Sequence, residues 1–185
     1  MQHVSFTQMK DGTKDDYIFL QKKEREFADN AADRLLNYMS SLNESLPGYP
    51  ISRLEHSLQS ATRAYRDKAD IDMVVGTLLH DIGDLLSPYN HAEFAAAILR
   101  PYVHEKCVWV IEKHAIFQKY YYAHHYGWDR EERQKYKDHP YYQDCIDFCE
   151  KWDQASFDPT YQSEDLAFFA PMLREVFARK TTHHG

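Results

Sequence analysis

The sequence predicts an all-α fold from three observations. In the long segments, apolar residues recur every three or four positions, which is the spacing of one face of a helix. No pair of alternating strand patterns joined by a hairpin turn is visible. No repeat, low-complexity tract or Pro/Gly-rich linker divides the 185 residues, so we expect one core. The prediction is therefore a single helical domain over residues 1–185.

Turn and capping residues divide the chain into eight predicted helices. "LPGYP" separates the first from the second, Asp70 is a candidate cap for the third, and Gly83 ends it. Asn90 precedes the fourth helix as a candidate cap, and Pro101 opens the fifth. The predicted spans are 15–42, 52–65, 70–83, 91–100, 101–117, 129–137, 140–155 and 163–178.

The composition argues against several classes of partner. The net charge is −7 and no Lys/Arg block occurs, which argues against nucleic acid or an anionic membrane as the main partner. The apolar stretches are too short to span a bilayer, and the start of the chain lacks the apolar region of a signal peptide. Cys145 and Cys149 lie one helical turn apart, as expected of reduced core thiols. We expect a cytoplasmic protein that acts on a small molecule, in an oligomeric state that the sequence leaves open.

Histidines and acids on apolar helix faces form the candidate site. A polar group on a buried face must be paired or bound, because burying an unpaired one is costly. Imidazole suits Fe, Mn, Ni, Cu and Zn, and a carboxylate can bridge two ions. His104 lies in the same stretch as His114 and is the alternative to it. Six residues from five predicted helices make up the set: His56, His80, Asp81, His91, His114 and Asp153.

This set predicts a two-metal site in which Asp81 bridges the ions. Nitrogen and oxygen ligands with open coordination positions indicate catalysis, since a structural zinc site is closed and usually rich in cysteine. The first ion is assigned His56, His80, Asp81 and Asp153, and the second ion is assigned Asp81, His91 and His114.

The order of these residues resembles the HD-domain superfamily. His56 is followed 24 residues later by the pair in "LLHDIGD", and the match spans roughly residues 50–155. The additional pair, His91 and His114, is similar to the dinuclear branches of that superfamily. Three segments, "HDIGD…YNHAEFAAAIL", "KHAIFQKYYYAHHYGWDRE" and "WDQASFDP", resemble the mixed-valent di-iron oxygenases of the hydroxyphosphonate and myo-inositol type.

The resemblance implies a single HD-domain helical bundle with its metal-binding core at about 50–155. It also implies two Fe ions, as Fe(II)/Fe(III), with O2 as co-substrate, and cleavage of a C–C or C–P bond in a small hydroxylated substrate. Two alternatives stay open. One is a dinuclear HD phosphohydrolase that acts on a small phosphoester with Mn, Ni or Mg. The other is a non-catalytic HD domain that binds a ligand or partner.

Further site residues come from the turns beyond the predicted ligands. Asp81, Asp84 and Gln118 are the candidate catalytic residues. Asp84 and Gln118 lie one turn after predicted ligands, and Glu150 lies one turn before one. Because none of the three is basic, the sequence disfavours a phosphate or phosphonate, which needs converging cations. It favours a polyol, an amino alcohol or a quaternary-ammonium alcohol. Arg53 is one of the remaining candidates for a cation. The candidate substrate residues are Tyr49, Lys119, Tyr122, His124 and His125.

Overall fold

The computed structural model describes residues 3–44 and 47–179 of the chain. This described part contains eight α-helices and no β-strand, which confirms the predicted all-α class. The helices are α1 (Lys14–Ala28), α2 (Ala31–Met39), α3 (Arg53–Arg66), α4 (Ile71–Leu79), α5 (His91–Leu99), α6 (Glu105–Tyr122), α7 (Tyr142–Phe148) and α8 (Leu166–Phe177).

The predicted helix over 15–42 is wrong as one element, because the chain forms α1 and α2 there. The side-chain amide of Asn30 donates to the carbonyl of Glu26 at 2.8 Å, and α1 ends before this residue. An asparagine side chain that takes a helical carbonyl in this way competes with continuation of the helix. Ala32, Leu36 and Met39 of α2 are buried, whereas α1 has no buried residue.

Side-chain caps define the starts of α3 and α4. The Ser52 hydroxyl accepts from the backbone N–H of Glu55 at 3.1 Å, and the Glu55 carboxylate accepts from the N–H of Ser52 at 2.7 Å. This reciprocal capping box satisfies two donors that a helix start leaves free. Asp70 accepts from the N–H of Met73 at 3.0 Å, as the sequence predicted for a cap. The two caps set the directions of the helices that carry the first site residues.

The turn after α4 lets α5 approach closely. α4 ends at Leu79 and not at the predicted Gly83, and the chain continues from His80 in hydrogen-bonded turns. A Cβ atom at Gly83 would lie 2.7 Å from the Cα of His91 and 2.8 Å from its carbonyl oxygen. Only a residue without a side chain fits this contact. Gly83 therefore sets the start of α5 directly against the turn that holds Asp81.

α6 begins and ends later than predicted. Pro101 lies in a turn, and His104 is the cap, with its imidazole accepting from the N–H of Cys107 at 3.1 Å. The other ring nitrogen of His104 lies 3.1 Å from a carboxylate oxygen of Asp70. His104 is thus occupied at the helix start, and α6 continues through Tyr122.

The predicted helix over 140–155 changes its hydrogen-bonding pattern near the end. α7 stops at Phe148, and Cys149–Asp153 form one π-helical turn that closes with a 2.9 Å bond from Gln154 N–H to the carbonyl of Cys149. Single π turns occur often at functional sites because they change the direction of a side chain. The predicted helix over 129–137 is only a short 3-10 helix, Glu132–Tyr136.

Helices α2 to α8 contribute buried residues to one hydrophobic core. Leu78, Leu79, Phe117 and Phe148 are fully buried there. All three cysteines are free and buried, in agreement with the prediction of core thiols. In the part of the chain that the structure describes, no helix is both long and apolar enough to cross a membrane.

Candidate metal centre

Four imidazoles at the centre of the bundle share one hydrogen-bonding arrangement. In each of them Nδ1 lies near a main-chain carbonyl, and because a carbonyl can only accept, Nδ1 carries the proton. In the neutral ring each Nε2 therefore presents a lone pair to the site. The four pairs are His56 with Ser156 (2.8 Å), His80 with Thr77 (2.7 Å), His114 with Ile111 (2.6 Å) and His91 with Pro88 (3.3 Å).

The carboxylate of Asp81 lies between two pairs of these rings. Its Oδ2 is 3.4 Å from Nε2 of both His56 and His80. Its Oδ1 is 3.5 Å from Nε2 of His91 and 3.4 Å from Nε2 of His114. One carboxylate thus faces two histidine pairs with its two oxygens, which is the geometry of a bridging ligand.

Asp153, which lies in the π turn, adds a second carboxylate to the His56 and His80 pair. Its Oδ1 lies 3.2 Å from His56 Nε2 and 3.7 Å from His80 Nε2. Its Oδ2 is buried and makes no hydrogen bond to the described residues. A buried carboxylate oxygen without a partner is costly, so this atom is available to bind an ion.

His56 and His80 direct their Nε2 atoms into the same small space. Their Nε2 atoms are 3.1 Å apart. Since both rings donate from Nδ1, two lone pairs face each other at this distance unless a proton or a metal ion lies between them. Burial lowers the pKa of His80, but the charges of Asp81 and Asp153 outweigh it and raise that pKa to about 9.

The pKa values of the two carboxylates, Asp81 and Asp153, are lowered, as expected of groups that face cations. Burial alone would raise the pKa of Asp81, but the neighbouring His80 imidazole and the contact with His114 hold it well below its usual range. The pKa of Asp153 is likewise lowered against burial, through its contacts with His56 and His80. Both acids are therefore charged, and the buried cluster attracts cations.

The ligand atoms have the spacing of metal-binding groups. Atoms bound about 2.1 Å from one ion lie roughly 3.0–3.4 Å from one another in octahedral or tetrahedral geometry. Three groups of three have ligand atoms that all lie within 4.8 Å of one another: His56/His80/Asp81, His80/His114/Asp153 and Asp81/His91/His114. This buried histidine and aspartate cluster could bind a dinuclear metal centre.

A cavity of about 550 Å³ opens onto the cluster. Its walls are mainly aromatic, and Gln118 also lines it, with a side-chain oxygen that is buried and has no partner among the described residues. Of the candidate substrate residues, Tyr49 and Tyr122 line the cavity. The complete lining is Tyr49, Arg53, Asp81, His91, His114, Ala115, Gln118, Tyr121, Tyr122, Tyr126, Trp128, Asp153, Gln154 and Phe157.

The structure does not bring the other three candidate substrate residues to this cavity. The ammonium of Lys119 lies 2.8 Å from the carboxylate of Glu132. His124 and His125 are exposed, with ring centroids 4.0 Å apart. These three residues lie on α6 and the 3-10 helix after it, where they are not part of the described lining.

Asp84 lies behind the cavity wall. Its Oδ2 is 2.8 Å from Arg53 Nε, and its Oδ1 is 3.4 Å from His91 Nδ1. Burial and the neighbouring Asp81 raise the pKa of Asp84 to about 6. Asp84 therefore contacts a predicted ligand and a cation of the wall, and it is not an acid that faces the substrate space.

Two residues of the site had no clear signal in the sequence. Arg53 lies three positions before His56 on α3, so it was one of several candidate cations, and only the fold brings it to Asp84 and Asp81. Phe157 stacks on His56 with centroids 4.4 Å apart and on Tyr49 with centroids 5.0 Å apart. Its ring covers the first histidine pair from the side of the cavity.

The comparison with known protein families agrees with the geometry. The HD domain matches residues 53–152, a span that includes all six residues of the cluster except Asp153. No curated protein matches the chain. The match covers more than half of the chain and includes the His80–Asp81 pair, and the chain belongs to the HD-domain family.

Proposed function

We propose that this protein is a di-iron oxygenase that uses O2 to cleave a C–C or C–P bond of a small hydroxylated substrate. The observation that carries the proposal is the position of Asp81 between two histidine pairs, with 3.4–3.5 Å from its oxygens to the four Nε2 atoms. Neutral imidazoles with few carboxylates are a ligand set that suits iron.

In this proposal each ion has its own ligands and open positions. His56, His80, Asp81 and Asp153 hold the first ion, and Asp81, His91 and His114 hold the second. Asp81, His91, His114 and Asp153 also line the cavity, so both ions would be open to a substrate there. When bound, the iron pair supplies the activation of O2 and the redox chemistry.

The protein residues orient the substrate. Six aromatic rings line the cavity, and four of them are exposed at its mouth. The six are Tyr49, Tyr121, Tyr122, Tyr126, Trp128 and Phe157. The unpartnered oxygen of Gln118 is an acceptor for a substrate hydroxyl. Rings of this kind also accommodate a quaternary ammonium, which supports quaternary-ammonium alcohols. The candidate substrates are therefore these alcohols, hydroxyphosphonates and polyols.

The rival function is a phosphohydrolase with the same ligands and two Mn, Ni or Mg ions. Two metals that activate a water are sufficient for that chemistry. A phosphoester, however, binds where several cationic groups converge. Arg53 is the single arginine or lysine in the described lining, which disfavours a phosphoester and, for the same reason, a phosphonate among the oxygenase substrates.

Metal content and O2 uptake decide between the two functions. Protein purified from iron-supplemented cells is expected to contain about two Fe per chain and to give a mixed-valent S = 1/2 EPR signal after partial oxidation. O2 uptake is then measured with hydroxylated phosphonates, quaternary-ammonium alcohols and cyclitols. Two Mn, Ni or Mg ions, turnover of phosphoesters and no O2 uptake would refute the oxygenase.

A further inference from the structure

We propose that Arg53 binds a carboxylate of the substrate, which makes a small hydroxy acid the substrate class. This inference rests on the proposed function, because it concerns the same cavity and the same reaction. Arg53 is part of the cavity wall, and no other described lining residue is an arginine or a lysine.

The guanidinium of Arg53 is fixed on one side. Nε lies 2.8 Å from Asp84 Oδ2, and Nη1 lies 3.4 Å from Asp81 Oδ2. The side chain is only 14% exposed. Within the described residues, Nη2 has no hydrogen bond and no ion pair. The contact between Nε and Asp84 Oδ2 is an ion pair without hydrogen-bond geometry. One edge of the group therefore faces protein carboxylates, and donors remain at its other end.

Two rings flank this guanidinium and restrict its motion. Its Cζ atom lies 4.8 Å from the ring centroid of Tyr49 and 5.9 Å from that of Phe157. An arginine held by carboxylates and by rings loses little additional freedom when it binds a ligand. Arg53 is thus preorganised to donate in one direction, into the cavity.

The charge of the loaded site favours an anion. Asp81, Asp84 and Asp153 contribute three negative charges and Arg53 contributes one positive charge. An Fe(II)/Fe(III) pair on neutral imidazoles would leave a formal charge of about +3. A neutral polyol would leave this charge without compensation, whereas an anionic group beside Arg53 compensates part of it.

The shape of the donor favours a carboxylate among the anions. A planar guanidinium matches a planar carboxylate with parallel hydrogen bonds. A phosphonate has three oxygens that require donors in three directions, and the remaining wall is mainly aromatic. A carboxylate at Arg53 with a hydroxyl on the neighbouring carbon fits both the cation and the metal-facing part of the cavity.

The test compares glycolate with ethylene glycol, which lacks the carboxylate, and with hydroxymethylphosphonate. Binding is measured by calorimetry under nitrogen on the protein as purified, together with its metal content. In Arg53→Gln we expect glycolate to bind about 10- to 100-fold more weakly, the loss typical of a charge-assisted hydrogen bond, while ethylene glycol binds unchanged. Arg174→Gln, which removes an exposed arginine outside the described lining, is the matched control and should bind like the wild type.

Several results would overturn the inference. They are an unchanged affinity for glycolate in Arg53→Gln, an equal loss for glycolate and ethylene glycol, or tighter wild-type binding of the phosphonate than of glycolate. If Arg53→Gln loses metal, Arg53→Lys decides, because it keeps the charge but not the planar fork, and wild-type glycolate affinity in it would contradict the proposal. Absence of an iron pair or of O2 uptake refutes the proposed function separately, since these binding measurements need no turnover.

Discussion

Replacing Gly83 with alanine tests how the second histidine pair is positioned. The new Cβ would meet the Cα and the carbonyl oxygen of His91 at 2.7 and 2.8 Å, whereas ordinary contacts begin near 3.4 Å. Both neighbours are main-chain atoms, so they cannot move aside as the end of a flexible side chain can. The start of α5 must therefore shift by about 0.7 Å, the difference between these distances.

The shift changes metal binding more than it changes folding. A displacement of this size is roughly a third of a 2.1 Å metal–nitrogen bond, and misplaced ligands typically cost 10- to 100-fold in metal affinity. Overpacking itself costs about 1–3 kcal/mol of unfolding free energy. We expect Gly83→Ala to bind the first ion normally and the second weakly, so that the metal content falls from about two to about one at limiting free metal.

The assay is a metal titration with elemental analysis, combined with thermal unfolding of the metal-free protein. Leu173→Ala is the matched control, because Leu173 is fully buried in α8, which carries no residue of the cluster. It should lose about 2–5 kcal/mol of stability and keep both ions. If Gly83→Ala binds two ions as tightly as the wild type, or if Leu173→Ala loses metal to the same extent, the reasoning is wrong.

Three further predictions use other parts of the structure. His114→Ala should lower the metal content toward one per chain by elemental analysis, while His104→Ala should leave it unchanged; equal losses would contradict the assignment of the second ion. Ser52→Ala removes one half of the capping box and should cost about 0.5–2 kcal/mol in urea unfolding, and an unchanged midpoint would speak against the cap. Burial raises the pKa values of the Cys107 and Cys149 thiols, so a thiol reagent at pH 8 should label no cysteine until denaturant is added. Rapid labelling of the native protein would show that this part of the core opens.

The six residues of the cluster could be predicted because each is a polar group in an apolar helical pattern. His80 and Asp81, for example, follow Leu78 and Leu79, and such a position requires a partner or an ion. The helix ends were less predictable. Asn30 interrupts the first pattern through a side-chain bond to a carbonyl, and α4 ends four residues before Gly83. Both outcomes depend on local hydrogen bonds that apolar spacing does not encode.

The surroundings of the cluster could not be predicted from spacing along the chain. Asp84 was a candidate catalytic residue because of its place one turn beyond Asp81, and that place left its contacts open. In the fold it pairs with Arg53, which lies on a different helix, so the contact arises only when α3 packs against the turn after α4. A pair of this kind has no signature in a single sequence, and it brings Arg53 and not Asp84 to the cavity wall.

The main-chain carbonyls that receive the four Nδ1 protons have a consequence for how this centre tolerates change. Every amino acid supplies a carbonyl, so the orientation of the rings depends on the path of the backbone and hardly on which side chains occupy Thr77, Ile111 or Ser156. Substitutions at these buried positions that keep the packing should therefore leave the imidazoles in the same tautomer. The backbone path would then preserve the orientation of the four rings, and a comparison of residue identities would not reveal this support.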